Sequence, residues 1–565
     1  MSTFLLPKKI NDKLDAAVRR FWWKPKEDSN KFFTPIAWDD LCRPKDEDGL
    51  SFKKFEKLNQ ALVSKPGWWM LSKKNCFCVK QLAAKYKVRA NWLRAPKASN
   101  ASWVWKGIEM VKNIIKLGVC KLVGSRNSIL VWEDPWLLDK SSFILTPRSQ
   151  VINSCLVVSQ LLNPLGSGWN DNLLNELFDQ ESIVAIKNIP VWSFGQEDKW
   201  TWTKSENGQF SVKSCYRLIT DGDNISSNVS LTRKIWKANI HERLKMHLWR
   251  VAFNLLPTKD QLREFSTSSD TSCPLCNVEA ESALHHFTQC HIARAIWFGG
   301  QWNLRIDKWQ IQSPTYLIGL FIDPPSSLQL DKEQRDEFLL FGALTLDMIW
   351  MWRNKAVNER SPPVEGQVIR SLQKLFLENW RPKVPELTRV PTRRSARWCC
   401  PNQGMLKLNC DATVGDLSSC IAIVAREWRG KLVFAISKKV NTNILIQAEA
   451  FAILLAVHIA INFSFCSCVI ESDYKVCIDA IKSGVNLIPW RLLNFVESVK
   501  NVISDYNHVS FNWVHREAIK AAHVLANWSL NLSLFGSFDM GFDPPNFFNV
   551  ILAEAFRVSV SVGHQ

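Results

Sequence analysis

The chain has 565 residues, 46% of them hydrophobic, which is room for about three or four folded domains and too apolar for a disordered chain. The net charge is +18, and residues 1–100 hold 22 Lys and Arg against 10 Asp and Glu. Attraction to phosphate, if that charge does more than solubilise the surface, therefore belongs mainly to the N-terminal part.

The 16 cysteines follow no secreted framework, and Met1–Pro7 is too short an apolar run for a signal peptide. A reducing compartment follows, with localisation otherwise unread. The 27 tryptophans run through the whole length and serve either packing or base stacking.

In chain order, Asn11–Trp23 carries Leu14, Ala17, Val18 and Phe21 at helical spacing. Gly49 to Leu62 reads as a turn and a helix, with Lys65-Pro66-Gly67 as its stop. Lys199 to Val212 reads as a hairpin: Asn207-Gly208 is the turn, with Trp200/Trp202 and Phe210/Val212 alternating on the arms. Val212–Ile219 reads as a helix and Trp236–Phe253 as one basic, aromatic helix ended by Leu256-Pro257-Thr258.

Cys273-Pro-Leu-Cys276 is followed by His285 and Cys290, in the spacing C-x2-C-x8-H-x4-C. Three thiolates and an imidazole suit a closed tetrahedral zinc site, structural rather than catalytic. His286 or His291 could replace His285, and a redox Cys-x-x-Cys or unrelated buried residues are the alternatives. Residues 300–380 read as helical, and Pro382–Arg397, with four arginines among its prolines, as an exposed basic linker.

Leu406–Asp411 alternates as a strand, with Leu406, Leu408 and Cys410 facing one way and Lys407, Asn409 and Asp411 the other. Two more strands, Ile421–Trp428 and Lys431–Val440, flank an Arg429-Gly430 turn. A helix then carries Glu449 in its first turns, on a stripe with Ala452, Ile453, Ala456 and Ala460, and Cys468–Asp473 is a strand ending on an acid. Ala450–Ile470 is about long enough to span a membrane, but Glu449, His458 and Asn462 favour a core helix turning into a buried strand.

Asp411, Glu449 and Asp473 thus occupy rigid positions of one β-β-β-α-β unit. Carboxylates so placed can hold divalent metals about 4 Å apart to clamp a phosphodiester. The plainer readings are a surface acid, a helix-dipole partner and a strand-end cap. Leu492–Ser504 reads as a helix, Val509–Val514 as a fifth strand and Ile519–Leu530 as a last helix, with His508 and His515 flanking the strand.

Asn409-Cys-Asp411-Ala, Ala448-Glu449-Ala-Phe-Ala and Ile470-Glu-Ser-Asp473 resemble the first three catalytic motifs of the ribonuclease H family. The branch is similar to the C-terminal domain of plant LINE-type (non-LTR) retrotransposon polyproteins. Phe21-Trp-Trp, Ile36–Lys45, Ser102-Trp-Val-Trp-Lys and Val131–Trp136 extend the resemblance upstream, and the Cys/His motif resembles that family's reverse-transcriptase zinc-binding domain.

The resemblance implies several domains. Residues 1–140 are the mostly α region downstream of a reverse-transcriptase palm, whose paired Asp motif is missing here. Residues 190–300 are a small zinc-binding α+β domain, 301–400 a helical segment and linker, 404–535 an α/β ribonuclease H-like domain with a five-stranded mixed sheet, and 536–565 a tail. It implies cleavage of the RNA strand of RNA–DNA hybrids, with Asp411, Glu449 and Asp473 holding Mg2+ (or Mn2+) and Cys273, Cys276, His285 and Cys290 a structural Zn2+.

Nucleic acid is the expected partner, without a membrane. The family's fourth ligand, an Asp in a terminal helix, is His523 in this sequence, within Ile519-Lys-Ala-Ala-His523-Val-Leu-Ala526. Magnesium prefers oxygen, so a histidine there weakens a second metal site, favours manganese, or shuttles a proton. The alternatives are a catalytically silent nucleic-acid-binding remnant and a zinc-stabilised scaffold.

Overall fold

The computed structural model describes residues 1–23, 33–89, 91–124, 126–137, 145, 156–164, 168–189, 191, 197–220, 231–263, 270–359, 364–380, 397–416, 418–462, 467–482, 488–504, 506, 508–538 and 550–551. Nearly all of the basic linker and most of the tail lie outside these residues. The chain divides into two compact units, the first mainly Leu5–Gln60 with Thr220–Arg389 and the second mainly Ala61–Ile219 with Val390–Gln565.

The first unit is helical. Lys8–Trp23 forms the expected first helix. The basic stretch expected as one helix is two, Leu231–Lys237 and Glu242–Ala252. The break is capped by His241, whose side chain accepts a hydrogen bond from Arg243 N, and that satisfies an otherwise orphan donor of the second helix. Helices Pro314–Ile322, Lys332–Glu359 and Glu365–Asn379 follow. Their core gathers Trp297, Phe321, Phe338, Phe341 and Phe376, and Trp297 stacks on Phe321 at 5.3 Å.

Helix Phe55–Leu71 runs through Pro66, where the sequence predicts a stop. Burial of Trp68, Met70 and Leu71 offsets the backbone hydrogen bond that proline removes.

In the second unit, Lys199–Trp202 is a strand, but its partner is Val119–Leu122 and not the segment after Gly208. The turn itself forms, with Gly208 at φ +68 and Trp202 N donating to Gly208 O. Beyond it the chain enters helix Val212–Thr220, and Phe210 packs on Trp202 with ring centroids 4.8 Å apart. Trp202 is fully buried against Gly118, where any Cβ would lie 2.5 Å from the indole. That glycine makes room for the tryptophan, so the expected hairpin gives way to a pairing distant in sequence.

The C-terminal part of this unit is a mixed sheet. Its elements are β1 (Leu406–Val414), β2 (Ser419–Arg426), β3 (Leu432–Val440), α1 (Leu445–Asn462), β4 (Cys468–Ser472), α2 (Lys475–Lys482), α3 (Leu493–Ile503), β5 (Val509–Trp513), α4 (Lys520–Leu532) and β6 (Gly536–Phe538). The strand order is β5-β4-β1-β2-β3-β6. Strands β1, β2 and β3 pair antiparallel, while β4 runs parallel to both β1 and β5.

The sheet has six strands where the sequence predicts five. The extra strand, β6, pairs three residues of the outer edge of β3, and Phe538 beneath it meets Trp528 edge-on at 5.7 Å. A three-residue strand carries too little alternation to be seen in sequence, yet it covers an edge that would otherwise present unpaired backbone.

Helix α1 is long and apolar enough to cross a membrane by composition, but it is a core helix here. Ala448, Ala452, Ile453, Ala456, Val457 and Ala460 pack with Leu408, Cys410 and Ile423 of the sheet. Helix α4 brings Ala521, Ala522, Leu525 and Ala526 against Ala422 and Val424. Small residues on both helices let them approach the strands closely, and that approach builds the site.

The polar side of β1 is buried too. Lys407 pairs with Glu471 at 2.9 Å, Asn409 accepts from Trp398 Nε1 at 2.9 Å, and the Arg426 guanidinium lies 3.8 Å from the Trp398 ring centroid.

Candidate active site and metal centre

Strand register brings two acids together. Cys410 lies opposite Ser472 in the parallel β1–β4 pair, so the next residues, Asp411 and Asp473, emerge side by side. Glu449 reaches them from the second turn of α1. Their carboxylate oxygens lie within 4.8 Å of one another. They line an open cleft of about 320 Å³ together with Tyr474, Arg516, His523 and Asn527.

Asp411 and Glu449 are 2% and 3% exposed, whereas Asp473 is half-buried. Burial, then the charges of Asp411 and Asp473, push the Glu449 carboxyl up to about 9, against a backbone hydrogen bond from Ala412 and the charge of Arg516. Asp473 is also raised, first by burial and then by Asp411, with Arg516 and His523 pulling the other way.

Glu449 Oε2 is buried with no hydrogen-bond partner. Such an oxygen is costly unless a proton or a cation meets it. The donor set is all oxygen, and it fits a hard divalent cation.

His523 projects from α4 onto Asp411 and not into the three-acid cluster. Its Nδ1 is 2.9 Å from Asp411 Oδ2. Arg516 NH2 lies 2.9 Å from Nε2 and 3.1 Å from Nδ1. Asn527 Nδ2 is 2.9 Å from Nε2, and Thr413 Oγ1 donates to Asn527 Oδ1 at 3.0 Å.

An ionised carboxylate only accepts, so Nδ1 presents its proton to Asp411, while Arg516 NH2 lies near both ring nitrogens and Asn527 Nδ2 near Nε2. Sequence reasoning did not single out Arg516. It sits on an exposed turn after β5, where only the tertiary structure shows which way it faces.

His508 and His515 are both exposed. His515 lies against Trp513, with ring centroids 4.9 Å apart, and Trp513 Nε1 donates to Asp473 O at 2.9 Å.

In the first unit, Cys273, Cys276, His285 and Cys290 also bring one ligand atom each within 4.8 Å of the others. A tight turn carries the first pair, with Asn277 N donating to Cys273 O. A wide π-type turn, His285–Gln289, carries the second pair, closed by Cys290 N to His285 O.

His285 Nε2 faces Cys276 Sγ at 3.4 Å, and Nδ1 faces the Glu279 carboxylate at 2.9 Å. The Cys273 thiol is held well below its usual range by the hydrogen bond from Cys290, and the same contact raises Cys290. Three soft sulfurs and one ring nitrogen, nearly all buried, fit zinc.

His286 is fully buried, its ring lies 5.8 Å from that of Trp350, and its side chain also helps to lower the Cys273 thiol. His291 is exposed at the start of helix His291–Gly299. Of the three histidines in play, the structure therefore gathers His285 with the cysteines.

Comparison with known proteins finds family matches over two stretches of the chain. Residues 210–297 match the family described as zinc-binding in reverse transcriptase, and residues 409–529 match the family described as reverse transcriptase-like. A protein of Arabidopsis thaliana named for ribonuclease H is 26% identical over 562 residues, covering 96% of this chain and 88% of that protein. An uncharacterized mitochondrial protein of the same plant is 28% identical over 142 residues, 25% of this chain and 92% of its own length.

Among solved structures, ribonuclease H1 of Halobacterium salinarum overlaps 22% of this chain and 98% of its own, at 18% identity and a TM-score of 0.21. The N-terminal ribonuclease H domain of a Mycobacterium tuberculosis protein overlaps 23% and 95%, at 13% identity and a TM-score of 0.22. The chain is thus similar to proteins that join a region described as zinc-binding in reverse transcriptase to one described as reverse transcriptase-like.

Proposed function

We propose that this chain is a divalent-metal-dependent endonuclease of the ribonuclease H class that hydrolyses the RNA strand of RNA–DNA hybrids. The observation that carries the reading is the convergence of Asp411, Glu449 and Asp473 in an open cleft, with the buried Glu449 Oε2 lacking any partner in the protein. These three acids hold the cation, Mg2+ or Mn2+, which supplies Lewis-acid stabilisation of the phosphodiester. Hydrolysis adds water across the bond between phosphorus and the 3′ oxygen, and the departing oxygen takes up a proton. The hybrid is accepted by shape and by its 2′-hydroxyls, not by sequence.

Cys273, Cys276, His285 and Cys290 hold a structural zinc that pins the knuckle of residues 270–290. The domain plan follows the resemblance: a region up to residue 140 downstream of a palm, a zinc-binding domain over 190–300, a helical segment and linker over 301–400, and the nuclease domain over 404–535, with 536–565 as a tail.

The test is cleavage of a labelled hybrid by the purified full chain in Mg2+ and in Mn2+, beside Asp411→Asn. Cleavage by the wild type that is lost in the variant supports the reading. A second reading, a silent nucleic-acid-binding remnant, is favoured by the placement of His523, which offers the cluster no carboxylate. Salt-dependent hybrid binding without cleavage in either metal selects it.

A further inference from the structure

The cleft holds its own cation. Arg516 lines it, and among the described residues around it no other side chain carries a permanent positive charge. The guanidinium is anchored on His523 Nε2 at 2.9 Å, and its charge acts on both Glu449 and Asp473. We propose that Arg516 takes the place of a second metal, so that Asp411, Glu449 and Asp473 hold a single divalent cation and the guanidinium faces the scissile phosphate. The proposal rests on the nuclease reading for its substrate, but not for its metal count.

Three features support it. His523 stands outside the three-acid cluster, faces Asp411, Arg516 and Asn527 through its ring nitrogens, and offers a second cation no carboxylate. Asp411 Oδ2 already meets that imidazole at 2.9 Å, so a second cation would have to compete with it for this oxygen. The charges also balance: three carboxylates and one guanidinium leave two negative charges, which one divalent cation neutralises.

A second divalent ion on the Arg516 side would meet a fixed positive charge with no ligand to hold it there. A planar guanidinium suits the role, because its N–H groups can pair with two non-bridging phosphate oxygens at once.

The test counts bound Mn2+ by electron paramagnetic resonance on the full chain, loaded with zinc beforehand. It is done with a short RNA–DNA hybrid present, the RNA strand 2′-fluorinated to suppress turnover. Wild type is compared with His523→Asp and Arg516→Gln, and circular dichroism and zinc content report the fold of each.

The expected result is one Mn2+ per chain in the wild type and two in His523→Asp, which supplies a carboxylate and removes the anchor of Arg516. Arg516→Gln is expected to keep the one Mn2+ within about threefold in affinity while the hybrid binds about tenfold more weakly, one lost charged contact's worth.

Two Mn2+ in the wild type overturn the proposal, as does a count of one in both wild type and His523→Asp. Because the count needs no cleavage, an inert wild type that binds one ion leaves this inference standing and removes the nuclease reading. An active wild type that binds two does the reverse.

Discussion

His523 Nδ1 donates to Asp411 Oδ2 across 2.9 Å, joining residues 112 positions apart in sequence. A histidine at the place of an expected metal-binding acid is thereby turned into a group that orients another acid. His523→Ala should free the Asp411 carboxylate to rotate and leave Arg516 without its anchor. Hybrid cleavage should fall about tenfold to a hundredfold, a loss of positioning and not of the cation itself. Single-turnover rates in Mn2+ check this, and an unchanged rate would remove the positioning role.

Glu449 makes the metal-free protein sensitive to pH. Its folded pKa, pushed up to about 9, lies above the unfolded carboxylate value. Between the two values the folded state holds a proton that the unfolded state has lost, so the stabilisation is complete below the unfolded pKa and declines as pH rises towards 9. Glu449→Gln should flatten this slope in the absence of divalent cations and abolish Mn2+ binding. Denaturation midpoints from pH 4 to about 9, measured in a chelator, read the first effect.

The zinc cluster predicts a sorting of histidines. Cys290→Ser and His285→Ala should each lose zinc and lower the melting temperature. His291→Ala should retain one zinc per chain, because that side chain is exposed outside the cluster. Metal analysis after gel filtration decides it. A chelator should melt the same region, since the binding energy of a structural zinc is folding energy.

Behind the zinc knuckle, the Arg353 guanidinium grips Glu281 through Nε at 2.7 Å and NH2 at 2.8 Å, both side chains buried. Glu281 also accepts from Lys259 N at 2.9 Å, so it ties helix Lys332–Glu359 to the chain that leads into the knuckle. Glu281→Ala leaves a buried guanidinium unpaired and should cost about 3–5 kcal/mol. Replacing both partners by apolar residues of similar volume should cost much less. A double-mutant cycle in urea tests the difference.

On the far side of β1, Trp398 covers the buried polar row, with Arg426 over its ring and Asn409 accepting from its indole. Trp398→Ala should destabilise the C-terminal domain by about 3–5 kcal/mol. Trp398→Phe, which keeps the aromatic face and loses the donor, should recover most of that. Tryptophan serves here chiefly through its ring, a packing role for this one of the many tryptophans.

The amino-acid order alone singled out the candidate site residues and the elements they ride on. Asp411 on an alternating strand, Glu449 on a stripe of alanines, Asp473 at a strand end and the spacing of Cys273, Cys276, His285 and Cys290 are local patterns, and helix and strand periods are local physics. The apolar run after Glu449 also stood out as core rather than membrane because it contains His458 and Asn462 and directly follows an acid.

Contacts between residues far apart in the chain leave no such trace. The pairing of Val119–Leu122 with Lys199–Trp202, the burial of Lys407 and Asn409 under Trp398, and the edge strand at Gly536–Phe538 were all decided by packing. So was the choice of His285 over His291, which follows from a π-type turn that aims His285 and Cys290 at the other two cysteines.

The turn after β5 likewise swings Arg516 onto His523 and gives the cleft a cation of its own. Side-chain direction at an exposed turn depends on what stands opposite, and only the folded chain supplies that.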